Sequence, residues 1–138
     1  MPSMQAVIMS RTGGPEVLEV LSLPVPELPS PRHLRVRLHA AGINPVDTKL
    51  RANGTYYPDR LPTILGCDGA GVVEAVGEKV TRFQPGDKVY FCSGGIGGEP
   101  GNYATYNSVH EDYVARMPAN LDFTAAAAVP LVLITAWE

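Results

Sequence analysis

Residues 33–40 read HLRVRLHA, and this short stretch decides the class of fold. Apolar side chains occupy every second position from Leu34 to Ala40, and Arg or His fills the positions between them. A period of two residues is typical of a β-strand with one buried and one solvated face. The sequence therefore predicts a half-buried strand over 33–40, with its Arg and His side chains on the solvated face.

Further segments of similar length are predicted as strands, and turn-forming residues separate them. They are 4–9, 17–23, 72–76, 88–92, 103–109 and 112–117. Gly and Pro supply 14 and 13 of the 138 residues, which favours many short strands over a helical bundle. The proline-rich segment 24–31 is predicted as an extended linker, because proline cannot belong to a central strand. Short strands at this spacing favour a small barrel or a sandwich.

Two helical regions interrupt this β pattern. A short helix is predicted over 45–52, with Asn44 as its N-cap and Pro45 in its first turn. Residues 125–134 contain no polar side chain, and Pro130 should divide this region into two short helices. Ten apolar residues are too few to span a bilayer, so the region must pack against protein. We therefore expect the intact protein to continue into another domain, and this chain to be a fragment of it.

Composition and charge argue against several classes of function. The net charge is -3 and no run of Lys or Arg occurs, so neither a nucleic acid nor a membrane is expected as a partner. The first residues, MPSMQAVIMS, do not resemble a signal peptide. Cys67 and Cys92 are the two cysteines, and both are expected to be free thiols in a cytoplasmic protein.

No cofactor or metal motif is complete in this sequence. Gly69 and Gly71 begin a pattern close to the dinucleotide fingerprint, but Glu74 stands where the third glycine belongs. We expect these glycines to let a strand bend or approach another backbone closely. The residues that could bind a metal are Asp47, Cys67, Asp68, Cys92 and His110. None of them lies in a paired ligand spacing, so no metal site is predicted.

Five motifs occur in order along the chain and together carry a family resemblance. They are GGPEVL (13–18), AGINPVDT (41–48), GCDGAGVV (66–73), PGDKV (85–89) and AAAVPL (126–131) followed by TAW (135–137). This series resembles the N-terminal half of the medium-chain dehydrogenases/reductases, in particular their quinone oxidoreductase (zeta-crystallin-like) branch. The resemblance implies a mainly β fold: a GroES-like, partly open β-barrel with short helices, lacking the Rossmann domain of the full-length enzyme. It also implies a substrate-side domain over 1–124 and, over 125–138, the start of a helical connection to that absent domain.

The sequence departs from the zinc enzymes of this family at their metal positions. Asn44 resembles the position of a zinc-binding cysteine, and Cys67 with Asp68 falls on a His-Glu pair. After Val89, where the zinc enzymes have a lobe with four cysteines, this chain has a glycine-rich loop with only Cys92. The resemblance therefore implies that neither zinc is bound, as in the quinone reductase branch.

The resemblance implies that the full-length enzyme reduces quinones or α,β-unsaturated carbonyls by hydride transfer from NADPH or NADH. Without a Lewis acid, the protein has to orient the reactants and hydrogen-bond the developing oxyanion. Asn44, Tyr56 and Tyr57 are the expected polar groups of the pocket, and Thr135, together with Asn44, is expected beside the nicotinamide. Each also has a simpler interpretation: Asn44 as a helix cap, the tyrosines as packing beside Pro58, and Thr135 as part of a helix interior.

The expected partners are a small carbonyl or quinone substrate, the chain's own Rossmann domain and a second copy of the full-length enzyme. The isolated fragment is expected to bind no cofactor and to be inactive, because the pocket should lie between the two domains. Two other functions stay open at this point: a zinc-dependent alcohol dehydrogenase, and a non-catalytic GroES-like binding module.

Overall fold

The computed structural model describes residues 2–138, which form two β-sheets and a few short helices. Within that range the strands are β1 (Ser3–Met9), β2 (Leu18–Pro24), β3 (His33–Gly42), β4 (Asp68–Val76), β5 (Lys88–Cys92), β6 (Tyr106–His110) and β7 (Val114–Arg116). The α-helices are α1 (Pro45–Asn53), α2 (Phe123–Ala127) and α3 (Pro130–Trp137), and 3-10 turns at Pro15–Val17 and Glu111–Tyr113 precede β2 and β7.

The larger sheet holds five antiparallel strands in the order β6-β3-β4-β5-β7. The strands β1 and β2 form a separate antiparallel pair, which two isolated bridges, Ala6 to Ala104 and Met9 to Thr63, connect to the rest. In the described part of the chain, no ladder joins the edge strands β6 and β7, so the barrel is not closed. The mainly β, partly open architecture with short helices is confirmed.

The alternation of HLRVRLHA produces the buried face that was expected of β3. Leu34 and Val36 are completely buried, in a core that β4, β5, β6 and β7 complete with Val73, Val89, Phe91, Val109 and Val114. On the opposite face, Arg35 pairs with Glu74 at 2.6 Å. His39 stacks on Phe123 of α2, with the ring centroids 4.3 Å apart. The polar face of β3 is therefore solvated over part of its length and covered by α2 near its end.

Strand β4 begins at Asp68, four residues before the predicted start at residue 72. Gly69 and Gly71 lie within the strand, and Gly71 pairs with Leu38 of β3 beside a register shift. A Cβ atom at Gly71 would overlap the carbonyl of Arg37. Gly71 therefore does what the sequence suggested and allows one backbone to approach another closely, whereas Gly69 leaves space for the side chains of Asn102 and Leu38.

The segments 103–109 and 112–117 are shorter as strands than predicted. The backbone of Tyr103 pairs with Val7 and Leu65 instead of continuing β6. After β6, the imidazole Nδ1 of His110 accepts from the Asp112 N–H and stabilises a 3-10 turn before β7. Both strands are shorter because these hydrogen bonds change the direction of the backbone. The alternation of apolar and polar residues along the sequence does not reveal such hydrogen bonds.

The apolar region near residue 130 divides into two helices, as predicted. Asp122 caps α2 by accepting from the Ala125 N–H at 2.8 Å, and α2 packs on β3 and β4. On α3, in contrast, Leu133, Ile134 and Trp137 are exposed. Residues 124 and 125, between which the domain boundary is predicted, both lie in α2, and that boundary stays a prediction. The helix α3 lies against β5 but leaves apolar side chains uncovered. Within residues 2–138, no helix has both the length and the hydropathy required to cross a bilayer.

We predict that Gly71→Ala destabilises the chain by about 2–3 kcal/mol, because the new methyl group must displace the backbone of Arg37. Gly86→Ala is the contrast, since Gly86 has open space but a φ of 99°. That substitution should cost only the backbone strain of about 1 kcal/mol. Denaturant unfolding measures both values. An equal or smaller loss for Gly71→Ala would show that the close contact with β3 has no energetic weight.

Candidate active site

A cleft of about 340 Å³ separates the start of α1 from α3. Asn44, Pro45 and Val46 form one wall, and the residues of the other wall are Leu131, Val132, Thr135 and Ala136. Asn44 and Thr135 thus lie on different walls of an otherwise mostly apolar cleft. An apolar cleft with a few polar groups at fixed positions is the usual form of a small-molecule site.

Asn44 stands between β3 and α1 and serves two purposes. Its backbone N–H donates to Asp47 Oδ2 at 2.9 Å, so the Asp47 carboxylate stabilises the start of the helix. Its side-chain Nδ2 donates to Asp68 Oδ2 at 3.0 Å, across to the start of β4. Asn44 therefore occupies the N-cap position of α1, as predicted. Its side-chain amide bonds to Asp68 and lines the cleft.

Asp68 connects the two walls of this cleft. The carboxylate is completely buried, and its second oxygen, Oδ1, accepts from the Leu131 N–H of α3 at 3.1 Å. Burial raises the pKa of Asp68, while the hydrogen bonds from Asn44 and Leu131 act in the opposite direction. One carboxylate thus holds an amide on the first wall and a helix start on the second.

A second buried carboxylate, that of Asp47, lies beneath the same region. The hydroxyl of Tyr103 donates to Asp47 Oδ2 at 2.7 Å, and the Cys67 thiol lies 3.9 Å from Asp47 Oδ1. Burial, the hydrogen bond to Asp47 and the charge of Asp47 raise the pKa of Tyr103. The phenol is therefore a fixed donor that satisfies Asp47 in the protein interior.

Both cysteines are protonated thiols at neutral pH. Burial, with the charges of Asp47 and Asp68, raises the pKa of Cys67 to about 11. Burial, the charge of Asp68 and contact with that carboxylate raise the pKa of Cys92 to about 12. Nucleophilic and metal-binding cysteines require the thiolate, which these surroundings disfavour.

The donor set at the position of the family's zinc site does not fit a zinc ion. Asn44 presents an amide where zinc prefers thiolate, imidazole or carboxylate, and both oxygens of Asp68 already accept hydrogen bonds. His110 lies elsewhere, on β6 beside His33. Among residues 2–138, no three His, Cys, Asp or Glu side chains are arranged to hold a metal ion.

Tyr56 and Tyr57 lie outside the cleft, in the loop that follows α1. Their exposed fractions are 69% and 43%. The ring of Tyr57 packs against Arg60 and lies beside Gly98, while the Tyr56 backbone donates to Ile96. The structure therefore brings Asn44 and Thr135 together but not the two tyrosines, whose place in the pocket stays a prediction.

Sequence reasoning considered Asp68 only as a metal ligand and did not find its contact with α3. The two residues that this contact joins, Asp68 and Leu131, are 63 positions apart. The sequence likewise places Tyr103 only in the strand predicted over 103–109. A signal for Asp68 existed, since a carboxylate between Cys67 and Gly69 in an apolar stretch must be buried with hydrogen-bond partners.

Comparison with known proteins identifies the family to which this fold belongs. Residues 30–119 match the family model described as alcohol dehydrogenase GroES-like domain. The chain is 40% identical to a quinone oxidoreductase of Lama guanicoe over 98% of this chain and 40% of that relative. It matches the structure of the quinone oxidoreductase from Coxiella burnetii with a TM-score of 0.90 and 31% identity, over 99% of this chain and 44% of that chain. A mycobacterial structure complexed with NADPH matches with a TM-score of 0.81 and 31% identity, over 96% and 38% of the two chains.

Fold and sequence thus define an alcohol dehydrogenase GroES-like domain. The chain belongs to this family, within the medium-chain dehydrogenase/reductase superfamily, and the resemblance described above is confirmed; the relatives that it matches include proteins named quinone oxidoreductase. It spans about 40% of the length of the curated relative from Lama guanicoe.

We predict that iodoacetamide at pH 7.5 labels Cys67 and Cys92 at least about 100-fold more slowly in the folded chain than in guanidinium. The physical reason is the low thiolate fraction that follows from their raised pKa values, together with restricted access. Mass spectrometry of the labelled peptides measures both rates, and the unfolded chain is the control. Rapid labelling of Cys67 in the folded chain would contradict the buried position assigned to its thiol.

Proposed function

We propose that the protein is a zinc-independent, NAD(P)H-dependent oxidoreductase that reduces quinones or α,β-unsaturated carbonyls. In this proposal, residues 1–124 are the substrate-side domain, and residues 125–138 begin the connection to a Rossmann domain. The observation that carries it is the mostly apolar cleft with Asn44 and Thr135 on different walls. The quinone oxidoreductase names of the relatives support the substrate class.

The two proposed domains would meet at α3. Leu133, Ile134 and Trp137 are exposed apolar side chains on this helix, and an apolar helix is stabilised when another element covers it. A Rossmann domain in that position would also close the cleft and remove water from it. We favour NADPH over NADH as its ligand, and the NADPH complex among the structural relatives supports this choice.

A reduced nicotinamide, when bound, supplies the hydride that reaches the electrophilic carbon of the substrate. The chain's own contribution is a hydrogen bond to the oxygen on which negative charge develops. Asn44 Nδ2 carries two hydrogens, and Asp68 accepts one of them; among residues 2–138, Nδ2 makes no second hydrogen bond. The other hydrogen is therefore available to the substrate oxygen, where one oriented donor contributes about 3 kcal/mol.

The other predicted residues take supporting roles in this proposal. Thr135 lies on the opposite wall and offers a hydroxyl to the nicotinamide. Tyr56 and Tyr57 are exposed on a loop, and their phenol groups combine an apolar ring with a hydrogen-bonding end. We assign them to the outer part of the substrate pocket in the full-length enzyme.

We predict that Asn44→Ala in the full-length enzyme lowers kcat/KM for a quinone by about tenfold or more, because the oxyanion loses its donor. Steady-state oxidation of NADPH measures the change. Lys49→Ala is the matched control, since Lys49 lies on α1 but is exposed and outside the cleft. Kinetics of Asn44→Ala that match those of Lys49→Ala would remove Asn44 from the active site.

We also predict that full-length protein purified without chelator contains less than about 0.1 zinc per chain, because the donor set around Asn44 and Asp68 is unsuited to zinc. Elemental analysis by mass spectrometry measures the content, and retention of activity in EDTA is the functional check. About one tightly bound zinc per chain would replace the present proposal with a zinc-dependent alcohol dehydrogenase.

A further inference from the structure

The helix α3 begins without a side-chain cap from its own neighbourhood. Its N-cap residue is Val129, which offers no hydrogen-bonding side chain, and Pro130 has no N–H. The Leu131 N–H is the first free donor of the helix, and Asp68 accepts it from 63 residues away. A helix start carries partial positive charge and unsatisfied N–H groups, so a buried carboxylate is the group best suited to hold it.

The same carboxylate holds the side chain of Asn44. Its two oxygens are used separately, one for the Asn44 amide and the other for the Leu131 N–H. Asp68 is completely buried at the first residue of β4, so strand pairing fixes its position. Neither wall can therefore shift relative to β4 without lengthening one of these two hydrogen bonds.

Among residues 2–138, no side-chain cation lies against this carboxylate. The ionisable groups that face it are Asp47, Cys67 and Cys92, and all three carry either no charge or a negative one. The hydrogen bonds from Asn44, Leu131 and Cys92 are accordingly what stabilises its ionised form. Asp68→Asn would keep the side-chain volume but replace one acceptor oxygen with an NH₂ group. That NH₂ group would then point at a hydrogen-bond donor, either the Asn44 amide or the Leu131 N–H.

We propose that Asp68 is a positioning residue that sets the distance between the Asn44 wall and the Thr135 wall of the cleft. It acts through Asn44 and α3 and does not itself contact substrate or cofactor. This inference rests on the function proposed above. Asp68 aims the free N–H of Asn44 at the substrate oxygen, and it holds the helix that carries Thr135.

The test compares Asp68→Asn with Glu74→Gln in the full-length enzyme. Glu74 lies on the same strand, but it is exposed and pairs with Arg35, so its variant controls for the loss of a carboxylate from β4. With a quinone and NADPH, Asp68→Asn should lower kcat about tenfold and raise the KM for NADPH several-fold. The KM for the quinone should change less than threefold. Values for Asp68→Asn equal to those for Glu74→Gln would overturn the proposal.

A double-mutant cycle separates positioning from general destabilisation. Since Asp68 acts on kcat through Asn44 and on the KM for NADPH through α3, adding Asp68→Asn to Asn44→Ala should lower kcat by a further factor of less than three, while the rise in the KM for NADPH persists. A full tenfold loss on that background would show that Asp68 acts independently of Asn44, which contradicts the inference.

Hydrogen exchange tests the link to α3 without using activity. Asp68→Ala offers no acceptor to the Leu131 N–H, whereas the amide oxygen of Asp68→Asn can still accept from it. Amides of residues 131–136 should exchange at least tenfold faster in Asp68→Ala than in wild type, with Glu74→Ala unchanged. Unchanged exchange in Asp68→Ala would overturn the proposal even if kcat falls in Asp68→Asn. Wild-type enzyme that fails to oxidise NADPH with any quinone or enone would refute the proposed function, whereas the exchange result would still decide the role of Asp68.

If Asp68→Asn does not fold, Asp68→Glu, which keeps the charge but displaces it by one methylene, should show the same changes.

Discussion

The antiparallel pairing of β3 with β4 sets the position of every group in the cleft. In this register Gly42, the last residue of β3, lies opposite Asp68, the first residue of β4. Asn44 follows Gly42 by two residues, so its amide comes within reach of the Asp68 carboxylate. A Cβ atom at Gly42 would overlap the carbonyl of Ala127, so the absent side chain also lets the end of α2 approach the sheet. Strand pairing, one small residue and one carboxylate together bring α3 beside α1.

Much of this fold could be predicted from local patterns. The alternation of residues 33–40 gives the buried face of β3, and Pro130 divides the apolar region into α2 and α3. The positions that differ are those where distant hydrogen bonds redirect the backbone, as at Tyr103, or where glycines lie inside a strand. In a single strand, glycine is expected to weaken or interrupt the β-structure. The register of β3 against β4 nevertheless requires glycine at position 71, because a side chain there would overlap Arg37.

The candidate site was predictable to a lesser degree. Family resemblance pointed to Asn44 and Thr135, which the fold brings to one cleft, although they lie on separate helical segments. The contact from Asp68 to the backbone of Leu131 could not be predicted, because a backbone donor leaves no signature in the sequence. The loop with Tyr56 and Tyr57 lies apart from that cleft, so the place of the two tyrosines in a pocket stays a prediction.

The state of the two thiols has a chemical consequence for a protein of the proposed function. Quinones and enones are Michael acceptors, and a thiolate adds to them to form a stable thioether. An enzyme that binds such molecules is exposed to alkylation of its own cysteines if their thiolates form. Burial, reinforced by the neighbouring carboxylates, keeps both sulfur atoms protonated and so removes the attacking species, which in a protein of the proposed function would also limit self-inactivation.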